Sequence, residues 1–207
     1  MSYMPQGTVY GVLLNFRSEL EAMRPQMDAP PYKAPPQAPV LYVKTANTWS
    51  ASGSAIAVPA HVPQVEVGAT IGAVMGTQGE VAGYVPMCDY SVPHTSFFRP
   101  PVRFKCLDGF LGIGDRIRAR NEAGDPAVFK LEVRVNGELK QTVRFSQLVR
   151  PADKLLADVS EFMSLGPGDM LMLGTDVGRP RVRAGDRAEI KMPALGTLTN
   201  LFVAEAA

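Results

Sequence analysis

Residues 64–110 decide how this chain is read. They run QVEVGATIGAVMG (64–76), then a turn, then VAGYVPMCDYSVPHTSFFRP (81–100), then PVRFKCLDGF (101–110). Val65–Met75 is β-favouring and apolar on both alternations, which predicts a strand covered on both faces. Glu80–Met87 predicts a short helix or the start of a second strand, one that ends at the acidic Asp89. Val102–Lys105 predicts a third, short strand carrying one lysine. On the first strand Glu66, Gly68 and Thr70 share a face, because side chains alternate with period two.

Toward the N-terminus, Gly7–Asn15 (GTVYGVLLN) predicts a strand. Ser18 before Glu19, Leu20 and Glu21 fits a helix N-cap with acids placed to suit the helix dipole. Pro25 is expected to keep that helix short. Met27–Pro39 is proline-rich and predicts an extended, polyproline-like surface loop. Val40–Lys44 predicts a strand, Asn47–Gly53 a polar turn holding the one tryptophan, Trp49, and Ile56–Pro59 a short apolar piece. Toward the C-terminus, Asn136-Gly137 between Phe129–Val135 and Glu138–Val143 predicts a hairpin, since both turn residues need φ > 0. Pro151–Leu165 predicts a helix, with Leu155, Val159, Phe162 and Met163 at helical spacing. Gly166–Asp169 ends it. Met170–Leu173, Arg187–Met192 and Thr199–Val203 predict strands, the last two around a turn at Leu195-Gly196.

The fold class is therefore mixed β with few helices (α+β), spanning residues 1–207 as one domain. The chain has 207 residues, 46% of them hydrophobic and 20% charged, as in ordinary globular proteins. Its 19 Gly and 18 Pro favour short strands and tight turns. A formal net charge of +1, with basic residues scattered among acids, excludes a broad nucleic-acid surface. No signal peptide is read, and no apolar run reaches membrane-spanning length. The two cysteines, Cys88 and Cys106, fit neither a disulfide framework nor a zinc pattern, so a reducing cytoplasm is expected.

Several stretches together carry a resemblance. They are NFRSELEAM (15–23), RVNGELKQ (134–141), SEFMSLGPGDMLMLGT (160–175), AGDRAEIKM (184–192) and LGTLTN (195–200). In this order they resemble the fumarylacetoacetate hydrolase superfamily from about Gly7 to Val203, which implies its β-rich fold. PPYKAPPQAPV (30–40), GATIGAVMG (68–76) and DYSVPHTSFFRPPVRFKCLDGF (89–110) are most similar to one branch. That branch is the N-terminal half, or separate N-terminal subunit, of the decarboxylase/isomerases of 4-hydroxyphenylacetate (homoprotocatechuate) catabolism. The resemblance implies small anionic oxo/enol di- or tricarboxylate substrates, such as 5-oxopent-3-ene-1,2,5-tricarboxylate and 2-hydroxyhepta-2,4-diene-1,7-dioate, and a Mg²⁺ cofactor.

The chemistry explains the metal. Loss of CO₂ beside a carbonyl leaves an enolate, which a divalent Lewis acid stabilises, and the double-bond shift needs a proton carrier as well. Mg²⁺ takes hard oxygen ligands. The superfamily supplies two glutamates at i and i+2 and one aspartate. By the resemblance the glutamate positions fall on Gly68 and Thr70, the aspartate on Asp89 and the family lysine on Lys105. An early histidine used as a base falls near Glu19. Its TGTP loop reads LGTD at Leu173–Asp176. Glu66 lies about 7 Å along the strand from Gly68, too far to substitute.

Asp89 is thus the one retained metal position, and Mg²⁺ is expected to be absent from this chain or weakly held. Lys105 and Glu19 are the catalytic candidates, and Arg17, Lys44 and Thr175 the substrate-binding ones. His61 and His94 stand alone, and structural or solvated roles are expected of them. Two readings follow. One is a subunit that supports a homologous C-terminal-type subunit carrying the missing carboxylates, or that forms a homo-oligomer. The other is a non-catalytic binding or scaffold homologue that has lost metal and activity.

Overall fold

The computed structural model describes residues 2–95 and 101–206. Strand β1 (Val9–Leu13) leads into helix α1 (Arg17–Met27), followed by β2 (Val40–Lys44), β3 (Trp49–Ala51) and β4 (Ala55–Val58). The two long strands are β5 (Val65–Met75) and β6 (Val81–Ser91). After one turn of helix, α2 (Val102–Lys105), come β7 (Leu111–Ile113), β8 (Arg118–Ala119) and α3 (Arg120–Ala123). The hairpin β9 (Lys130–Val135) and β10 (Glu138–Arg144) precedes α4 (Ala152–Ser160). Strands β11 (Met170–Met172), β12 (Arg181–Val182), β13 (Arg187–Met192) and β14 (Gly196–Ala204) complete the chain.

The strands form two sheets. One runs β2-β1-β11-β5-β6-β7-β3, with β12 also paired to β5 and β8 to β6; the other runs β10-β9-β13-β14-β4. In β5, Val67, Ala69, Ile71 and Ala73 enter the larger core, shared with Leu131, Val133, Ile190 and Phe202 of the smaller sheet. The opposite alternation of the large sheet, with Val74, Val85, Met87, Leu111 and Met170, packs on Met23 and Met27 of α1. Both faces of β5 are therefore covered, which accounts for its unbroken apolar reading. Antiparallel pairing of β5 with β6 sets Gly68 opposite Asp89, Thr70 opposite Met87 and Glu66 opposite Ser91.

Some expectations need correction. Val102–Lys105 is helical, because the Pro101 carbonyl accepts the N–H groups of Phe104 and Lys105 at 3.0 and 2.9 Å. Of the two readings of Glu80–Met87, the strand holds, since β6 begins at Val81. Helix α1 continues through Pro25 to Met27; the missing N–H falls in its last turn, and Glu21, four residues back, is exposed. Ser18 does not cap it: Phe16 holds the N-cap position, and the Ser18 hydroxyl donates instead to the Asp176 carboxylate. The proline-rich loop folds into turns rather than running extended, with Tyr32 and Lys33 N–H groups both 3.0 Å from the Ala29 carbonyl. Trp49–Ala51 forms a strand, not a turn, by parallel pairing with β7. Helix α4 stops at Ser160, which leaves Phe162 beyond it and exposed. The hairpin turn is as expected, with φ of 52° at Asn136 and 84° at Gly137. Ser96–Pro100, part of the stretch that carried the resemblance, lies outside the described residues.

Candidate functional site

The candidate site lies on the α1 side of the large sheet and is built by alternation. Tyr42 and Lys44 project from one face of β2, and Asp89 projects from β6 toward them. Helix α2 delivers Lys105 from the other side. Asp89 is 1% exposed, Lys44 1% and Lys105 2%. The Lys44 ammonium is 2.9 Å from Asp89 Oδ1, and Lys105 is paired with Oδ2. The Tyr42 hydroxyl donates to Oδ2 at 2.5 Å. Lys44 also donates to the carbonyls of Phe110 (2.7 Å), Tyr90 (3.3 Å) and Lys105. The Lys105 ammonium sits 4.9 Å from the centre of the Tyr42 ring, a cation–π contact.

These contacts set the charges. Burial alone would raise the Asp89 carboxyl, but Lys105, Lys44 and the Tyr42 hydroxyl outweigh it and hold the group well below the usual carboxylate range. Burial pushes the Lys44 ammonium down, opposed by Asp89. Burial, and then the Asp89 charge, pushes the Tyr42 phenol well up, so it remains a donor.

A carboxyl that is more acidic in the folded chain stabilises it above about pH 4 and loses that contribution as pH falls through the folded value. Glu19 works the other way. Burial raises its carboxyl, against the pull of Arg179, so ionising it costs stability as pH rises above about 4.5. Urea midpoints measured from about pH 2 to 7 are expected to fall progressively below about pH 4. The fall should be much shallower in Asp89→Asn; equal slopes would show that another carboxylate governs the acid limb.

A second charged group adjoins the first. Glu19, buried on α1, accepts the Leu14 N–H at 2.6 Å and pairs with Arg179. Arg179 also reaches Glu66 at 3.5 Å and donates from Nε to the Asp176 carbonyl at 3.1 Å. Arg181, more exposed, approaches Glu66 at 3.4 Å. A cleft of about 310 Å³ opens beside this group, lined among others by Glu19, Gln26, Glu66, His94, Val177 and Arg179. The His94 ring stacks on Phe104 with centroids 4.7 Å apart, and burial lowers its basicity.

Between the two groups lie Gly68 and Thr70. A Cβ at Gly68 would stand 2.6 Å from the Asp89 carbonyl oxygen and 3.0 Å from the Thr175 methyl. The strands meet too closely there for any side chain. Thr70 is buried, and its hydroxyl donates to the Gly174 carbonyl at 2.5 Å.

Residues 8–203 match the fumarylacetoacetate (FAA) hydrolase C-terminal family. The chain belongs to the fumarylacetoacetate hydrolase family. It is 35% identical, over 97% of its length, to the 4-hydroxyphenylacetate degradation bifunctional isomerase/decarboxylase of Salmonella dublin. The match covers 48% of that protein, so the chain spans about half the length of such curated relatives. Among solved structures it is similar to a 5-carboxymethyl-2-hydroxymuconate delta-isomerase from Mycobacterium smegmatis, with TM-score 0.80, 25% identity and coverage of 97% of this chain and 80% of that one. It shares its fold with a fumarylpyruvate hydrolase from Pseudomonas aeruginosa in complex with Mn²⁺ and pyruvate. That likeness has TM-score 0.79 and 22% identity, and covers 96% of this chain and 90% of the hydrolase.

The divalent metal of the fumarylacetoacetate hydrolase family does not fit these residues. Of the three carboxylate positions that the resemblance assigns, only Asp89 carries one, and its oxygens already face two ammonium groups and a phenol. Among the described residues, no group of three or more His, Cys, Asp or Glu is placed to hold a metal ion. Glu66 turns to the arginines rather than to Asp89.

The other expected residues divide. Lys44, Lys105 and Asp89 gather at one place, Glu19 stands in the adjoining group with Arg179, and Thr175 is buried beside Gly68. Arg17 projects exposed from α1 and makes no ion pair among the described residues. His61 is exposed. Sequence reasoning missed Tyr42 and Arg179. Tyr42 was readable in principle, two residues before Lys44 on a strand, hence on the same face. No local pattern marked Arg179.

Proposed function

We propose that this chain is the metal-free, N-terminal-type subunit of a decarboxylase/isomerase of homoprotocatechuate catabolism. A homologous C-terminal-type subunit supplies Mg²⁺ and its carboxylates, and the pair acts on small oxo/enol di- or tricarboxylates in the cytoplasm. In this reading residues 1–207 are one domain, and the chain lends its partner shape and interface rather than a reacting metal. One observation carries the proposal: Asp89, at the family's aspartate position, is neutralised by Lys44 and Lys105 instead of awaiting a cation. The match to half of a bifunctional enzyme supports a second, homologous half.

The test is turnover by the purified chain with Mg²⁺, alone and mixed with a homologous subunit that has both glutamates. Absorbance reports loss of 5-oxopent-3-ene-1,2,5-tricarboxylate or of 2-hydroxyhepta-2,4-diene-1,7-dioate. The chain alone is expected to be at least about 100-fold slower than the assembly, the scale on which a Lewis acid contributes. Equal rates would overturn the proposal.

A second reading, a non-catalytic scaffold, is favoured by the seclusion of the cluster, whose charged ends are nearly sealed from solvent. Failure of the two chains to co-migrate in light scattering would select it.

A further inference from the structure

We infer that Arg179 is a resident cation that takes the electrostatic place of a divalent ion on this sheet face. This rests on the metal-free reading proposed above. Among the described residues, three carboxylates, Asp89, Glu19 and Glu66, face four cations, Lys44, Lys105, Arg179 and the more exposed Arg181. The lysines serve Asp89. Arg179 alone bridges Glu19 of α1 and Glu66 of β5, two elements that no strand pairing joins. Its side chain is 14% exposed and Glu19's 4%, so water screens the Glu19 pair poorly.

The loop holds the guanidinium in place. Asp176 receives the Ser18 hydroxyl and the Val177 N–H (2.8 Å), and Gln141 donates to the Val177 carbonyl at 2.7 Å. On the far side, the Val67 N–H bonds to the Pro180 carbonyl at 2.9 Å, and β12 pairs Arg181 with Glu66. Arg179 therefore hangs from a segment fastened at both ends, aimed at Glu19, whose ion pair among the described residues it supplies, and at Glu66, which Arg181 also approaches. Burial opposes its charge, but Glu19 and Glu66 more than offset that and make the guanidinium harder to deprotonate. Arginine suits the role, since its planar fork can serve two acceptors at once.

The experiment compares the full chain, Arg179→Gln and the triple variant Arg179→Gln/Glu19→Gln/Glu66→Gln by thermal melting, with EDTA or with MnCl₂. The wild type is expected to melt identically in both. Arg179→Gln should melt roughly 6 °C or more lower in EDTA. Mn²⁺ should restore part of that loss by binding the released carboxylates. The triple variant should recover stability without metal and ignore Mn²⁺, which keeps the test valid if the single variant is poorly folded. An Arg179→Gln variant as stable as wild type, or a destabilised one that Mn²⁺ leaves unchanged, overturns the inference. Stabilisation of the wild type by Mn²⁺ would instead overturn the metal-free reading on which it rests.

Discussion

Asp89→Asn is expected to cost about 3–5 kcal/mol of unfolding free energy, lowering the melting temperature by roughly 6–20 °C. The replacement keeps shape, removes the charge and turns one acceptor oxygen into an amide donor that faces other donors. Lys44 and Lys105 would then face each other's field in a site sealed from water, with no anion between them. The carbonyls of Tyr90, Lys105 and Phe110 soften this for Lys44 but carry no net charge. Urea denaturation near neutral pH measures the loss. A variant within about 1 kcal/mol of wild type would show that these ion pairs merely offset their desolvation. The companion Asp89→Leu/Lys44→Met/Lys105→Met removes all three charges together. It is expected to regain part of the stability, because the unbalanced charges go together, while the carbonyls that Lys44 serves and the Tyr42 hydroxyl lose their partners.

Gly68→Glu with Thr70→Glu, which restores the family's glutamate pair in sequence, is expected to destabilise the chain by about 3 kcal/mol or more and to create no Mg²⁺ site. The first substitution drives a Cβ to 2.6 Å from the Asp89 carbonyl, a backbone atom of the paired strand that cannot swing aside. The second forfeits the Thr70 bond to Gly174, whose φ of 106° holds the start of the loop that carries Arg179. The lysines and Arg179 would still occupy the electrostatic position of the metal. Calorimetry with MgCl₂ on the double variant, alongside its melting curve, decides the matter. A folded variant that binds Mg²⁺ at micromolar strength would mean that only the two carboxylates were missing.

Much of the fold could be read from local chemistry. The bounds of Val65–Met75 followed from composition, and the 136–137 turn followed from the need for positive φ. What failed was short and context-dependent. Val102–Lys105 looks β-favouring by residue type, yet Pro101 and the want of a strand partner leave it helical. Ser18 looks like a cap, but Asp176, far along the chain, claims its hydroxyl. The site divides in the same way. Once the resemblance gave the frame, which also assigned the family's glutamate positions to Gly68 and Thr70, the nearness of Lys105 to Asp89 was visible. The identity of the replacing cations was not. Lys44 and Arg179 come from opposite ends of the sequence, and only sheet order brings them onto one face.

Lys44 holds more than a charge. From a single strand it fastens the backbone at Tyr90 near the end of β6, at Lys105 at the end of α2 and at Phe110 just before β7. None of these points can peel away alone without baring a carbonyl that an ammonium has taken from solvent. The described residues around these three points, at the end of β6 and from α2 into β7, therefore open with β2 or not at all. Amide hydrogens there would exchange as one cooperative unit, at a pace tied to the unfolding of the sheet rather than to the mobility usual for a connecting loop.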